Sequence, residues 1–246
     1  MGYTKAKESL DRAARLLEEF FETNLVSVWA YGPVVRNNYS NKKERIFLSV
    51  VLSDNSPEKL RGFKKLLGKL KGTRLSIPYV FTEEYVKNSL DVFPLEFFYM
   101  KSGYDMVKGR DLLSEIEIDK EDMRLACERE LRGKALHIRS EFAEAEGSAR
   151  KMRELLNGIV SVFSMVFSGL LHLKEIKIPA TKEELFKKTE IEYLEEKGAV
   201  SDMIDACEED SGDPEKLVEN FCLRIDELIY KVDSLYFKEK TKGAEQ

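Results

Sequence analysis

The sequence predicts a two-part chain of the α+β/α kind: a mixed sheet with flanking helices over residues 1–112, then an all-α helical bundle over residues 113–246. Three observations predict it. Apolar runs at Leu25, Val26, Val28 and Trp29 and from Ile46 to Leu52 flank a Gly32-Pro33 corner and a polar loop, as two buried strands do. Strand-like and helix-like segments alternate through the first hundred residues, and from Asp119 onward apolar residues recur at threes and fours.

Taken in order, Thr4 to Thr23 carries Leu10, Ala13, Ala14, Leu16, Leu17, Phe20 and Phe21 on one stripe, a helix that leans on the sheet. Trp29 and Tyr31 alternate on the first strand and therefore share a face. Ser53 to Pro57 reads as a turn and N-cap opening a second helix to about Lys71, with Leu60, Phe63, Leu66, Leu67 and Leu70 inward and a basic, solvated outer face. Arg74 to Phe81 is a third strand, and Thr82 caps a short helix whose first turn holds Glu83 and Glu84. Leu95 to Met100 is expected as a fourth strand, after a turn at Asp91 to Pro94.

In the second half, Cys127, Leu131, Ala135, Ile138, Phe142 and Ala145 form one helical stripe, which Gly147-Ser148 breaks and recaps. The next helix, Met152 to Leu173, is apolar nearly all round. Its uninterrupted segment, Gly158 to Leu173, falls short of the roughly 20 residues a bilayer needs, so a central bundle helix is expected and no membrane. Helices at about Lys182 to Lys197 and Pro214 to Lys238 complete the bundle. The acidic stretch Glu208 to Asp213 between them lacks Ca²⁺-loop ligand order and reads as a helix end and cap.

The formal charge of −5 gives no global attraction to nucleic acid. Cys127, Cys207 and Cys222 are odd in number and lack metal spacing, which implies reduced thiols, and the N-terminus has neither an apolar leader nor a myristoylation pattern; the expected location is cytoplasmic. A single Gln, Gln246, beside many Lys and Glu gives a thermophile-like composition.

The segment Tyr31-Gly32-Pro33-Val34-Val35-Arg36 resembles the hG-S-x-x-R corner of the nucleotidyltransferase superfamily, the DNA polymerase beta-like fold, and Arg45-Ile46-Phe47-Leu48 falls on its D-x-D-h strand. The resemblance continues through Ser89 to Leu113 and the helix after it, which is similar to a prokaryotic group carrying an added helical domain. It implies a nucleotidyltransferase-like fold with a degenerate active site. Both carboxylate positions are lost, to Arg45 and Phe47, and the phosphate-binding Ser is Pro33. Two Mg²⁺ ions, held about 3.5–4 Å apart in such chemistry, need anionic oxygens, which an Arg and a Phe do not supply. No cofactor, metal or catalytic residue is therefore expected.

The ligand-binding candidates are Tyr31, Gly32, Pro33, Arg36 and Glu96. A Gly at a strand end exposes main-chain N–H groups to a phosphate, and Glu96 falls near the family's third carboxylate. The expected activity is binding without catalysis, of a nucleotide or a macromolecular partner (protein or RNA) in the interdomain cleft, with a homodimer as a further expectation. An active transferase with displaced ligands such as Asp54, Asp91 or Glu96 is one alternative. Another is an RNA-cleaving dimer, since Arg132 and His137 match the R-x4-H spacing of HEPN ribonuclease domains. His172 is expected to cap the helix or complement its dipole, and Arg124, Arg129, Arg132, Lys134, Arg139, Arg150, Lys151 and Arg153 to form a solvated face paired with Glu at helical spacing.

Overall fold

A computed structural model describes residues 2–36, 45–195 and 198–243, with the side chains of 2, 3, 33, 36, 161, 208 and 236–243 excepted. The polar loop expected at 37–44 lies outside the described residues. The chain divides into two compact units, Met1–Ile118 and Asp119–Gln246.

The first unit opens with α1 (Gly2–Phe21) and a short 3-10 turn, then β1 (Leu25–Tyr31), α2 (Pro33–Arg36), β2 (Ile46–Leu52), α3 (Phe63–Lys69) and β3 (Leu75–Thr82). It closes with α4 (Glu83–Asn88), α5 (Pro94–Lys101), β4 (Tyr104–Gly109) and α6 (Leu112–Glu115). The sheet order is β3-β2-β1-β4; β1 runs antiparallel to both neighbours, and β2 and β3 are parallel. Because side chains alternate along a strand, the sheet separates two cores. Val28, Ala30, Ile46, Leu48, Val50 and Leu52 pack against Ala13 and Leu17 of α1 and Leu66 of α3. Trp29, Tyr31, Val51 and Phe81 face the other way, onto Phe97, Met100, Leu112, Leu113 and Ile116. Trp29 is fully buried, and its indole N–H has no hydrogen-bond partner among the described residues.

Two expected elements differ. Residues 57–62 are turns, and α3 begins only at Phe63, because Gly62 takes φ +85, a left-handed conformation that a continuous helix cannot pass through. The fourth strand is Tyr104–Gly109, and Leu95 to Met100 is helical. There Pro94 stands at the first helical position and Glu96 in the first turn, which both favour a helix start. The aromatic content of the run suggested a strand. Tertiary packing of Leu95, Phe97 and Met100, each 1% exposed, overrides that preference. The Thr82 hydroxyl accepts the Tyr85 N–H at 3.1 Å and caps α4 as expected.

The second unit is helical throughout: α7 (Lys120–Ala145), α8 (Ala149–Leu173), α9 (Lys182–Tyr193), α10 (Ser201–Glu209) and α11 (Pro214–Gly243). Asp119, Ser148 and Thr181 cap α7, α8 and α9 with their side-chain oxygens. The 25 residues of α8 are enough to cross a bilayer, so length alone does not exclude a span as the sequence suggested; most of its apolar window is instead buried inside the unit. Phe163 and Phe167 on α8 meet Phe221 of α11 and Phe186 of α9 edge to face, at 4.9 and 4.6 Å.

Helix α10 was missed because its apolar pattern, Met203, Ile204 and Ala206, is too short to show a period. Its start is held from outside. Glu190 of α9, 3% exposed, accepts the Val200 N–H at 2.8 Å and the Ser201 hydroxyl at 2.9 Å. Its other end follows the expected helix-end reading: Asp210 takes the left-handed conformation, and Arg153 donates to the carbonyls of Ala206, Ser211 and Gly212. Glu190→Ala leaves a buried N–H and hydroxyl without their acceptor and should cost about 1–3 kcal/mol, read as a fall in the urea midpoint of the helical dichroism.

Candidate functional site

The corner at Gly32 is built by register. Tyr31, the last residue of β1, stands opposite Phe47 in β2, with ring centroids 5.8 Å apart. Gly32 follows at φ +105, and its carbonyl accepts the Val35 N–H at 3.1 Å, turning the chain into α2. The Phe47 ring lies 3.2 Å from where a Cβ on Gly32 would be. Glycine is required here both for conformation and for the approach of that ring. Phe47, the position where the resemblance places a metal-binding carboxylate, is thus packed against the corner and against the second core. Arg45, two residues earlier, is exposed at the mouth of β2.

These donors do not fit a two-metal site: one position is an aromatic ring and the other a cation, and Mg²⁺ takes hard oxygen ligands. Among the described residues no group of three His, Cys, Asp or Glu is placed to hold a metal ion. Of the displaced-ligand candidates, Asp54 lies past the far end of β2, where its main chain pairs with Asn24 and its carboxylate accepts the Ser56 N–H at 2.8 Å. Asp91 is exposed in a turn. Glu96 is half-buried on α5, beside Tyr79, Phe81, Tyr85 and Phe93. Asp54 and Glu96 therefore stand on different elements, a loop after β2 and the helix α5. The side chains of Pro33 and Arg36 lie outside the described ones.

Tyrosines cluster near the corner. Burial, and then Tyr79, push the Tyr31 hydroxyl far above its ordinary value, and it hydrogen-bonds with Ser49. Tyr104, opposite Tyr31 in β4, donates to Asp111 at 2.8 Å; burial and that carboxylate push it up to about 12. Both phenols bind their proton more tightly folded than unfolded. The stability they contribute is complete below the unfolded value of 10.0 and lost as the pH rises through about 12. Unfolding followed by Trp29 fluorescence should show the urea midpoint of the first unit falling across that alkaline window and flat from pH 7 to 9, about one unit below the first titration.

In the second unit many of the basic residues are paired. Arg124, 3% exposed, bonds Glu121 and Glu128; Arg132 bonds Glu128 at 2.7 Å, and Asp233 lies within 3.7 Å. Lys134 pairs with Glu130, Arg139 with Asp226 and Arg150 with Glu154. His137 is exposed on α7. Five residues from Arg132, it stands about 140° away around the helix, so the two do not face one substrate within a chain. Burial, and then the Lys120 ammonium, hold the His172 imidazole below its ordinary value. It stands in the last turn of α8, the helix end at which it is expected.

No protein-family model matches the sequence, and no curated protein matches it. Among solved structures, the chain is similar to spectinomycin adenyltransferase from Enterococcus faecialis, solved with ATP and spectinomycin, with a TM-score of 0.56 and 13% identity over 92% of this chain and 98% of that one. At that identity the likeness concerns the fold alone. The fold is nucleotidyltransferase-like, with a mixed four-stranded sheet followed by a helical region.

Proposed function

We propose that this chain keeps the nucleotidyltransferase fold for binding: it holds a nucleotide at the Gly32 corner, through Tyr31, Gly32, Pro33 and Arg36, and does not transfer it. The observation that carries this reading is Phe47, whose ring lies 3.2 Å from where a Cβ on Gly32 would be, at the position where the resemblance places a metal-binding carboxylate. The solved adenyltransferase of this fold is held with ATP, which supports a nucleotide as the ligand class. Three free cysteines, one of them buried, accord with a reducing, cytoplasmic setting.

Calorimetric titration with ATP, CTP, GTP and UTP, with and without Mg²⁺, tests the proposal. One nucleotide should bind at about micromolar Kd regardless of Mg²⁺, with no pyrophosphate released. Pyrophosphate release that Glu96→Gln abolishes would establish a transferase instead, and an absence of binding to all four would remove the nucleotide reading. A second reading, a protein partner or second copy on the helical unit, is favoured by Leu136, Leu223 and Tyr230, exposed at 72%, 67% and 73%. Leu223 and Tyr230 stand seven residues apart on α11 and so share a face. Sedimentation velocity should then show a dimer that Leu223→Ser weakens.

A further inference from the structure

Apart from the Gly32 corner, the first unit carries an aromatic pocket at the β3 side of its second core. We propose that this pocket, formed by Tyr79, Phe81, Tyr85, Phe93 and Glu96, binds the head group of a small alkylammonium cation. The proposal does not depend on the nucleotide reading, and its ligand has the opposite charge.

The rings come from three segments. Tyr79 and Phe81 are alternate residues of β3 and so face the same way; Tyr85 follows on α4, and Phe93 precedes α5. Tyr79 stacks on Phe81 at 5.3 Å and Phe81 on Tyr85 at 5.7 Å, with planes within 17° of each other. Phe97 and Met100 close the floor, and the cavity measures about 110 Å³, room for one compact head group.

Three of these rings are left in water. Tyr79, Tyr85 and Phe93 are 39%, 44% and 40% exposed, so each forgoes part of the stabilisation that full burial of an aromatic side chain gives. Together they account for most of the large exposed apolar side chains described in this unit, and such grouping marks a binding surface more often than a packing defect.

The charge decides the ligand. Aromatic faces carry negative quadrupole density, which attracts an organic cation within about 6 Å of a ring centroid. Among the described residues, the lining holds one carboxylate, Glu96, and no basic side chain. Its field reaches the neighbouring phenol: burial, then Glu96, raise the Tyr79 hydroxyl above its ordinary value. A phosphate would meet a carboxylate and π faces, both repulsive. An alkylammonium meets attraction from the ring faces and from the Glu96 carboxylate, and its methyl groups bury against Phe81, Phe97 and Met100.

The test is an NMR titration of the full chain with choline and with its uncharged isostere, in which carbon replaces the quaternary nitrogen. Choline should saturate with a Kd of about 1 mM or tighter, and the isostere should bind at least about fivefold more weakly. Tyr85→Leu and Glu96→Gln should each weaken choline by about fivefold or more, while Tyr85→Phe keeps it. Equal affinity for choline and its isostere would reduce the pocket to an apolar crevice and overturn the proposal, as would unchanged affinity in Glu96→Gln or a titration that never saturates. Tyr85 and Glu96 lie outside the fully buried set, so both variants keep the fold, and the choline comparison needs no variant.

Discussion

Replacing Gly109 by alanine is expected to destabilise the first unit by about 4 kcal/mol or more, a loss reserved for a few mechanisms. Two of them coincide here. Gly109 has φ +81, a conformation that L side chains rarely adopt, and a Cβ built on it would lie 2.1 Å from the Val26 carbonyl oxygen. The obstacle is main chain, so no side-chain rotation relieves it. The neighbouring contacts show how tightly β4 crosses this end of β1: Ser27 donates to the Arg110 carbonyl at 2.6 Å, and the Arg110 N–H donates to Val26. The chain has a single tryptophan, Trp29, buried in β1. Its fluorescence during urea unfolding reports this unit, and a midpoint shift worth less than about 1 kcal/mol would contradict the close crossing.

Phe167→Ala is expected to cost the second unit about 3–5 kcal/mol, because its ring is fully buried and the surrounding helices relax only partly into the space. Phe167 touches Phe163 at 5.5 Å and Phe186 at 4.6 Å, joining α8 to α9. Nearby, the Tyr193 hydroxyl donates to the Leu170 carbonyl at 2.7 Å, a second tie between the same helices. The helical dichroism should melt at a lower urea concentration. Leu136→Ala, at a position 72% exposed, should stay within about 0.5 kcal/mol of the parent and serves as the control.

What the sequence revealed about these elements follows from how local each signal is. Thr82 and Ser148 were readable as caps because a cap bonds the N–H three residues on. Trp29 and Tyr31 were readable as sharing a face because alternation is a property of one strand. The Leu95 to Met100 segment was not, since its aromatics suit strand and helix alike and the outcome rests on packing with Leu112 and Ile116, which lie farther along the chain. At the candidate site, the resemblance placed Phe47 on a carboxylate position. That its ring lands on Gly32 depends on the antiparallel register of β1 and β2, which no local pattern carries. The aromatic pocket draws on β3, α4 and α5; its visible trace was only the alternation of Tyr79 and Phe81 and the Phe-rich stretch from Phe93 to Phe98.

The place of β1 at the middle of the sheet sets a schedule for the chain as it leaves the ribosome. β2 emerges soon after β1, but the other neighbour of β1, Tyr104–Gly109, comes after β3, α4 and α5 have been made. Until then one edge of an apolar strand stands open, the condition under which nascent chains pair wrongly or recruit chaperones. The second unit has no such wait: α7 and α8 are consecutive and joined through Gly147 and Ser148, so its first hairpin can collapse while its last helix is still being translated.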